Sequence, residues 1–251
     1  MSVDVVVSNI NKRFGSVVAI EGASFTVTEN SFVSIVGPSG CGKSTLLRII
    51  AGLIPASSGE LTVGGQKVNG SIAGASMVFQ SPVLLQWRTV MENILFVAEM
   101  AGKNVRDYRE RALQLIELAG LSGFENSYPY ELSGGMQQRA SICRALLLDP
   151  PLILMDEPFG ALDVMTRERL AFELQDIWSV NRNTIIFVTH SIAEAVLLSD
   201  TIIVMTARPG QIQDVITVDL PRPRNLNTLT SERFHELSFR VRDGIGTKWA
   251  D

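Results

Sequence analysis

Gly37-Pro38-Ser39-Gly40-Cys41-Gly42-Lys43-Ser44 has the spacing G-x-x-x-x-G-K-[ST], with Thr45 directly after it. Glycines at those positions let a backbone wrap an anion with its N–H groups, and a helix starting at the lysine adds the positive end of its dipole. In such a cradle Lys43 meets the β- and γ-phosphates of a nucleoside triphosphate, and the Ser44 hydroxyl ligates Mg²⁺. A second cluster is Leu152-Ile153-Leu154-Met155-Asp156-Glu157, an apolar run ending in two carboxylates. An acid at the carboxyl end of a parallel strand lies where α/β sheets bind ligands. There Asp156 can orient Mg²⁺, and Glu157, one residue further out, can polarise an attacking water. The third cluster is Leu132-Ser133-Gly134-Gly135-Met136-Gln137-Gln138-Arg139, a serine and two glycines ahead of a helix expected over 137–148. That is a second anion-binding helix start. One chain with two such ends points to a shared site, each triphosphate gripped by the cradle of one copy and by residues 133–135 of another. The cradle alone does not choose among kinases, GTPases and ATPases.

These residues need elements to hold them. Residues 3–7 are a β-branched run, 11–16 are polar with Gly15, and 24–28 alternate, which predicts strand, turn, strand. Residues 32–36 form a short apolar strand stopping at Gly37, and from Lys43 a helix should place Leu46, Leu47, Ile50 and Leu53 on one face. Residues 91–101 and 108–119 carry helical periodicity, with Gly102 and Gly120 as stops. Strand-like runs return at 152–155, 185–189 and 201–205, separated by helices over 166–180 and 192–198. The expected architecture is α/β: one domain over 1–220, its core formed by 1–87 and 149–220. A helical subdomain over about 88–148 is inserted into it, the parallel sheet is covered by helices, and a surface tail over 221–251 begins Pro221-Arg222-Pro223-Arg224 and ends in a short helix.

Composition narrows the partners. Of 251 residues, 46% are hydrophobic and the net charge is −4 without a basic run, which argues against a nucleic-acid groove. No stretch reaches the roughly 18 apolar residues that cross a bilayer, so a membrane role is expected to run through a partner. The N-terminus lacks the basic region and apolar core of a signal peptide. Two cysteines, Cys41 and Cys143, make neither a disulfide framework nor a zinc set and fit a reducing cytoplasm. Because Cys41 stands inside the cradle, a bulky thiol reagent is expected to block nucleotide binding.

Taken together, these motifs resemble the ATPase subunits of ABC transporters, over nearly the whole chain. The resemblance makes 37–45 the Walker A loop, 152–157 the Walker B strand and 132–136 the signature, with Met136 where many members have Gln. It implies a P-loop fold with an N-terminal antiparallel β subdomain, ATP and Mg²⁺ as ligands, and a homodimer. It matches Ala161-Leu162-Asp163 to the D-loop, although Asp163 equally reads as a helix N-cap. His190, by itself an ordinary strand-end histidine, becomes the switch histidine. Gln80, after Met77-Val78-Phe79, becomes the glutamine that joins Ser44 and Asp156 around Mg²⁺ and faces the membrane partner. Phe14 is the candidate for the aromatic that stacks on adenine, a position often held by Tyr; the phenyl ring keeps the stacking face. Catalysis then falls to Glu157, His190 and Gln80.

A separate subunit of this kind resembles those of importers, which join two transmembrane permease subunits and an external solute-binding protein at the cytoplasmic face of the membrane. Phe79-Gln80-Ser81-Pro82, Leu84-Leu85-Gln86-Trp87-Arg88-Thr89-Val90 with Asn93, and Ala207-Arg208-Pro209-Gly210 look like the nitrate/sulfonate/taurine group. Trp87 is expected on the groove that receives a permease helix. Sulfonate, taurine, nitrate, bicarbonate and pyrimidine-type precursors all remain open as cargo, because cargo touches other chains. The alternative is a soluble ABC ATPase outside transport. A DNA-acting one would need a long coiled-coil or zinc-bearing insertion, and residues 88–131 are short and lack cysteine.

Overall fold

The computed structural model describes residues 3–72, 74–160 and 162–246. Along the chain run β1 (Val5–Phe14), β2 (Val17–Val27), β3 (Phe32–Val36), α1 (Lys43–Ile50), β4 (Ser58–Val63), β5 (Gln66–Lys67) and β6 (Ala75–Val78). Helices α2 (Val90–Met100), α3 (Arg109–Leu118) and α4 (Gly134–Leu146) follow. Then come β7 (Leu152–Asp156), α5 (Val164–Asn181), β8 (Thr184–Val188), α6 (Ile192–Leu198), β9 (Thr201–Met205), β10 (Ile212–Thr217), α7 (Leu226–Leu229) and α8 (Glu232–Gly244). An antiparallel sheet has the order β2-β1-β4-β5, and a larger sheet has the order β10-β9-β3-β8-β7-β6. In the larger sheet β9, β3, β8, β7 and β6 are parallel, and β10 is an antiparallel edge.

The central strands read as mostly apolar runs because both faces are covered. Val33, Ile35, Leu152, Leu154, Ile186, Val188 and Ile203 point to one side, where Leu46, Leu47 and Ile50 of α1 and the inner face of the antiparallel sheet meet them. Phe32, Val36, Ile153, Met155, Ile185, Phe187, Ile202 and Val204 point to the other, against α2–α6 and α8. Helices therefore cover one face, while α1 and a second sheet cover the other. Trp178 anchors the helical side: it is buried, donates Nε1–H to Asn183 O at 2.8 Å, and meets Phe32 edge-on at 6.0 Å.

Three expectations are corrected. The polar stretch 11–16 is not a turn; β1 continues to Phe14, and only Gly15 and Ser16 turn. Asn11 Oδ1 accepts from Gly22 N across the pairing with β2, and Lys12 Nζ donates to Pro55 O in the segment before β4 at 2.7 Å. Leu53 lies beyond α1 and is half exposed, so the helix face stops at Ile50. The segment after Leu220 is no surface appendage. α8 inserts Phe234, Leu237 and Val241, at helical spacing, into the main core. Arg224, 2% exposed, donates to the carbonyls of Val196, Leu197 and Ser199 at 3.0, 2.9 and 2.8 Å. The end of α6 leaves those carbonyls without helical partners, and a buried guanidinium satisfies them. Arg222 pairs with Asp200 at 2.9 Å, donates to Leu198 O and stacks 4.2 Å over Trp178.

Candidate functional site

Four neighbouring parallel strands deliver the site from their carboxyl ends: β3 leads into residues 37–42, β8 into Thr189 and His190, β7 into Glu157, and β6 into Gln80. The cradle starts α1 at Gly42, whose φ of 108° only glycine adopts without strain, and where a Cβ would lie 3.0 Å from Ala19 O. No side chain caps this helix, so its first N–H groups face the cleft ready for an anion. A Cβ at Gly37 would meet Met205 O at 2.7 Å, which fixes that glycine by close approach. Lys43 Nζ donates to Gly37 O at 2.9 Å and Pro38 O at 3.0 Å, folded back over the loop it would share with phosphates.

The Ser44 hydroxyl donates to Asp156 Oδ1 at 2.7 Å. Asp156 is 1% exposed; burial raises its carboxyl above the ordinary range, and the Ser44 bond pulls the other way. A buried carboxylate with a hydroxyl beside it is the oxygen donor pair a small hard cation takes, so these residues fit Mg²⁺. Glu157, one residue on, sits at φ 46° with its N–H bonded to Val188 O at 2.9 Å. That left-handed backbone costs on the order of 1 kcal/mol for a non-glycine residue and re-aims the carboxylate out of the sheet. His190 Nδ1 lies 3.1 Å from Glu157 Oε2 and Gln80 Nε2 lies 3.5 Å from it, so the three converge on one oxygen. Behind His190, Thr189 Oγ1 donates to Glu194 Oε2 at 2.6 Å, and Arg167 Nε stands 3.5 Å from Glu194 Oε1. Arg167 also donates to Leu162 O at 3.2 Å, tying residue 162 to the histidine loop. Burial raises the Glu194 carboxyl, against the Thr189 bond.

The open cleft in front of these groups holds ≈ 580 Å³. Phe14, Val17 and Ala19 line one side, Ser39, Gly40 and Gly42 through Thr45 its floor, Gln80 and Glu157 the far end, and Arg208 the rim. Phe14 is 51% exposed, with Lys12 Nζ 4.9 Å from its ring centre, so a flat apolar face is held available. Val17, Ala19, Arg208, Arg167 and Glu194 were not singled out as site residues from sequence. Arg208 carried a signal, the Arg-Pro-Gly run, while the others are ordinary residues brought in by the fold.

Other expected residues stand apart from this cleft. Ser133 is the N-cap of α4, its hydroxyl accepting from Met136 N at 3.3 Å, so the helix starts at Gly134 rather than Gln137. Ser133 and Gly134 are exposed, and Gly135 packs so closely that a Cβ would lie 2.8 Å from Leu162. Asp163 caps α5, accepting from Thr166 N at 3.0 Å, and the Thr166 bonds hold its carboxyl below the ordinary range. Ala161 lies outside the described residues. Cys41 contributes backbone to the cradle, but its side chain is 1% exposed and belongs to the core under α1, which contradicts its expected reach to a bulky reagent.

A family model described as ABC transporter matches residues 20–160. The chain belongs to the ABC transporter family. It is an ATPase cassette of that family, 44% identical to the aliphatic sulfonates import ATP-binding protein SsuB of Bacillus cereus over 96% of this chain and 94% of that protein. It is also 47% identical to an uncharacterized ABC transporter ATP-binding protein of Methanocaldococcus jannaschii over 91% of the chain and 87% of the relative. Among solved structures, a dimeric ATP-binding cassette in a post-hydrolysis state bound to ADP and Pi superposes with a TM-score of 0.76 at 32% identity, covering 86% of this chain and all of that one. A second dimeric structure of that bacterial transporter cassette gives 0.78 at 31% identity.

Proposed function

We propose that this cassette powers an importer of a small organic anion, an aliphatic sulfonate or a near relative such as taurine. Two copies would sit at the cytoplasmic face of a membrane against two permease subunits supplied by an external solute-binding protein. The observation that carries this reading is the 44% identity running nearly end to end with a sulfonate import subunit. Trp87 adds to it: 73% exposed, it sits on a segment pinned by buried Asn93, whose amide donates to the carbonyls of Leu85, Arg88 and Thr89. A rigid exposed aromatic is the kind of anchor a partner helix takes. Among the described residues no helix is long and apolar enough to cross a membrane.

In the proposed mechanism Phe14 stacks on the adenine, the N–H groups around Gly40–Ser44 wrap the phosphates, and Lys43 swings from its carbonyl partners to the β- and γ-phosphates. Ser44, Gln80 and Asp156 would hold Mg²⁺, which when bound neutralises charge building on the phosphate oxygens. Glu157 orients the attacking water and takes its proton, while His190, beside that carboxylate, stabilises the charge that develops. Ser133 and the N–H groups of Gly134 and Gly135, which do not line their own chain's cleft, close on the γ-phosphate of the other copy. Release of phosphate removes what bridges the copies and lets them part, the ligand-linked switch that would move the permease.

Glu157→Gln should bind ATP as tightly as the parent and hydrolyse it at least about 100-fold more slowly, measured by phosphate release. Sustained turnover by that variant removes Glu157 from its role. For the cargo, uptake of labelled alkanesulfonate, taurine and nitrate by vesicles carrying the full importer should show saturable sulfonate uptake that Glu157→Gln abolishes; transport of nitrate alone contradicts the assignment.

A further inference from the structure

The loop 206–211 between β9 and β10 has no part in the mechanism above, yet it is built against the cradle. A Cβ on Gly210 would lie 2.0 Å from Cys41 O, so the two backbones touch. Gly210 N donates to Ala19 O at 3.1 Å, and Glu21 N donates to Gly210 O at 3.0 Å, which clamps the loop between β2 and the cradle. Inside the loop, Thr206 Oγ1 donates to Pro209 O at 3.1 Å and accepts from Gln211 N at 3.0 Å. Gln211 Nε2 reaches Glu21 at 2.7 Å. From this fixed base Arg208 extends over the rim, and its Nε and Nη2 donate to Gly40 O at 3.2 and 3.1 Å.

A carbonyl occupies one edge of the guanidinium, and the rest of the fork borders the cleft shared with Lys43, Ser44 and Phe14. The arrangement mirrors that of Lys43, whose ammonium also rests on cradle carbonyls. A permanently charged planar fork matches phosphate oxygens two at a time and gains far more from them than from a neutral carbonyl. We propose that Arg208 is a nucleotide-binding residue, a second cation on the phosphates of ATP supplied by the 206–211 loop. This rests on the reading of the cleft as the ATP site. Discrimination follows from charge: Arg208 favours the triphosphate over adenosine, which offers it nothing.

The test compares full-length parent, Arg208→Gln, Arg208→Lys and Lys43→Ala by calorimetric titration with MgATP and with adenosine at two salt concentrations, together with kcat and KM. Arg208→Gln should weaken MgATP binding about tenfold, raise KM with kcat little changed, leave adenosine binding unaltered and flatten the salt dependence. Arg208→Lys should recover part of the affinity, because it keeps the charge and loses the fork. MgATP binding by Arg208→Gln within twofold of the parent overturns the proposal. So does an equal loss for adenosine, which would make Arg208 a latch on Gly40 and nothing more. If the parent fails to bind MgATP, or Lys43→Ala binds it undiminished, the cleft itself has been misread and the proposal goes with it.

Discussion

Cys41 and Cys143 show how far a residue's place in the chain differs from its place in space. Cys41 falls between two cradle glycines, yet its sulfur packs under α1 and it does not line the cleft. Cys143, on α4, is buried too, and burial pushes its thiol up to about 12, its Sγ–H donating to Leu115 O at 3.3 Å. The folded chain therefore keeps this proton where an unfolded one, with a thiol near 8.5, releases it. Since the unfolded state binds fewer protons across that window, stability falls as pH rises from about 8.5 toward about 12 and is unaffected by this group below it. Cys143→Ala should flatten that part of a denaturation-versus-pH profile; an unchanged slope contradicts the burial argument. Neither cysteine should react with a bulky maleimide at pH 8 until the chain unfolds. Chemistry-bearing residues were readable in sequence because their types are restricted, as in Lys43, Ser44, Asp156 and Glu157. Arg167 and Glu194 were not, because what makes them matter is their pairing across the chain, and Arg208 left only the Arg-Pro-Gly run.

At the scale of elements, β3, β7, β8 and β9 could be read directly, since burial on both faces writes a mostly apolar run into each. β4, β5 and β10 could not: residues such as Ser58, Gly59 and Glu60 in β4 face solvent and leave no pattern. The tail was misjudged because Pro-Arg-Pro-Arg reads as polar surface, although Phe234, Leu237 and Val241 held the helical spacing all along. Ending the chain at Leu220 would strip those side chains and leave the α6 carbonyls uncapped. Loss of well over 3 kcal/mol is expected, seen as a large drop in melting temperature or as insoluble protein. A shortened chain as stable as the parent would return the tail to the surface. The contact from Leu162 through Arg167 and Glu194 to Thr189 joins the segment beside Asp163 to the His190 loop. Glu194→Ala should cost about 2 kcal/mol and lower kcat more than it raises KM, because it frees the loop without touching the nucleotide. Equal damage to KM and kcat would place Glu194 in simple folding instead.

Across the whole molecule the anion-binding groups are divided. The cradle, Glu157 and Gln80 line one cleft, with His190 bonded to Glu157 and Asp156 to Ser44, while Ser133 and Gly134 stand exposed at the start of α4, where Ser133 caps its own helix, outside that lining. The proposed mechanism makes the chain one half of two sites, and its central claim is that the halves come from different copies. Light scattering on the Glu157→Gln chain with MgATP tests it most directly. That variant should run as a monomer of 27.4 kDa without nucleotide and at twice that mass with it. Adding Ser133→Arg to it should leave ATP bound in the single chain's own cleft, more weakly by the share the second copy contributes, while holding the protein at the single-chain mass. A doubled mass in the combined variant, or no ATP binding at all by its monomer, would contradict the account.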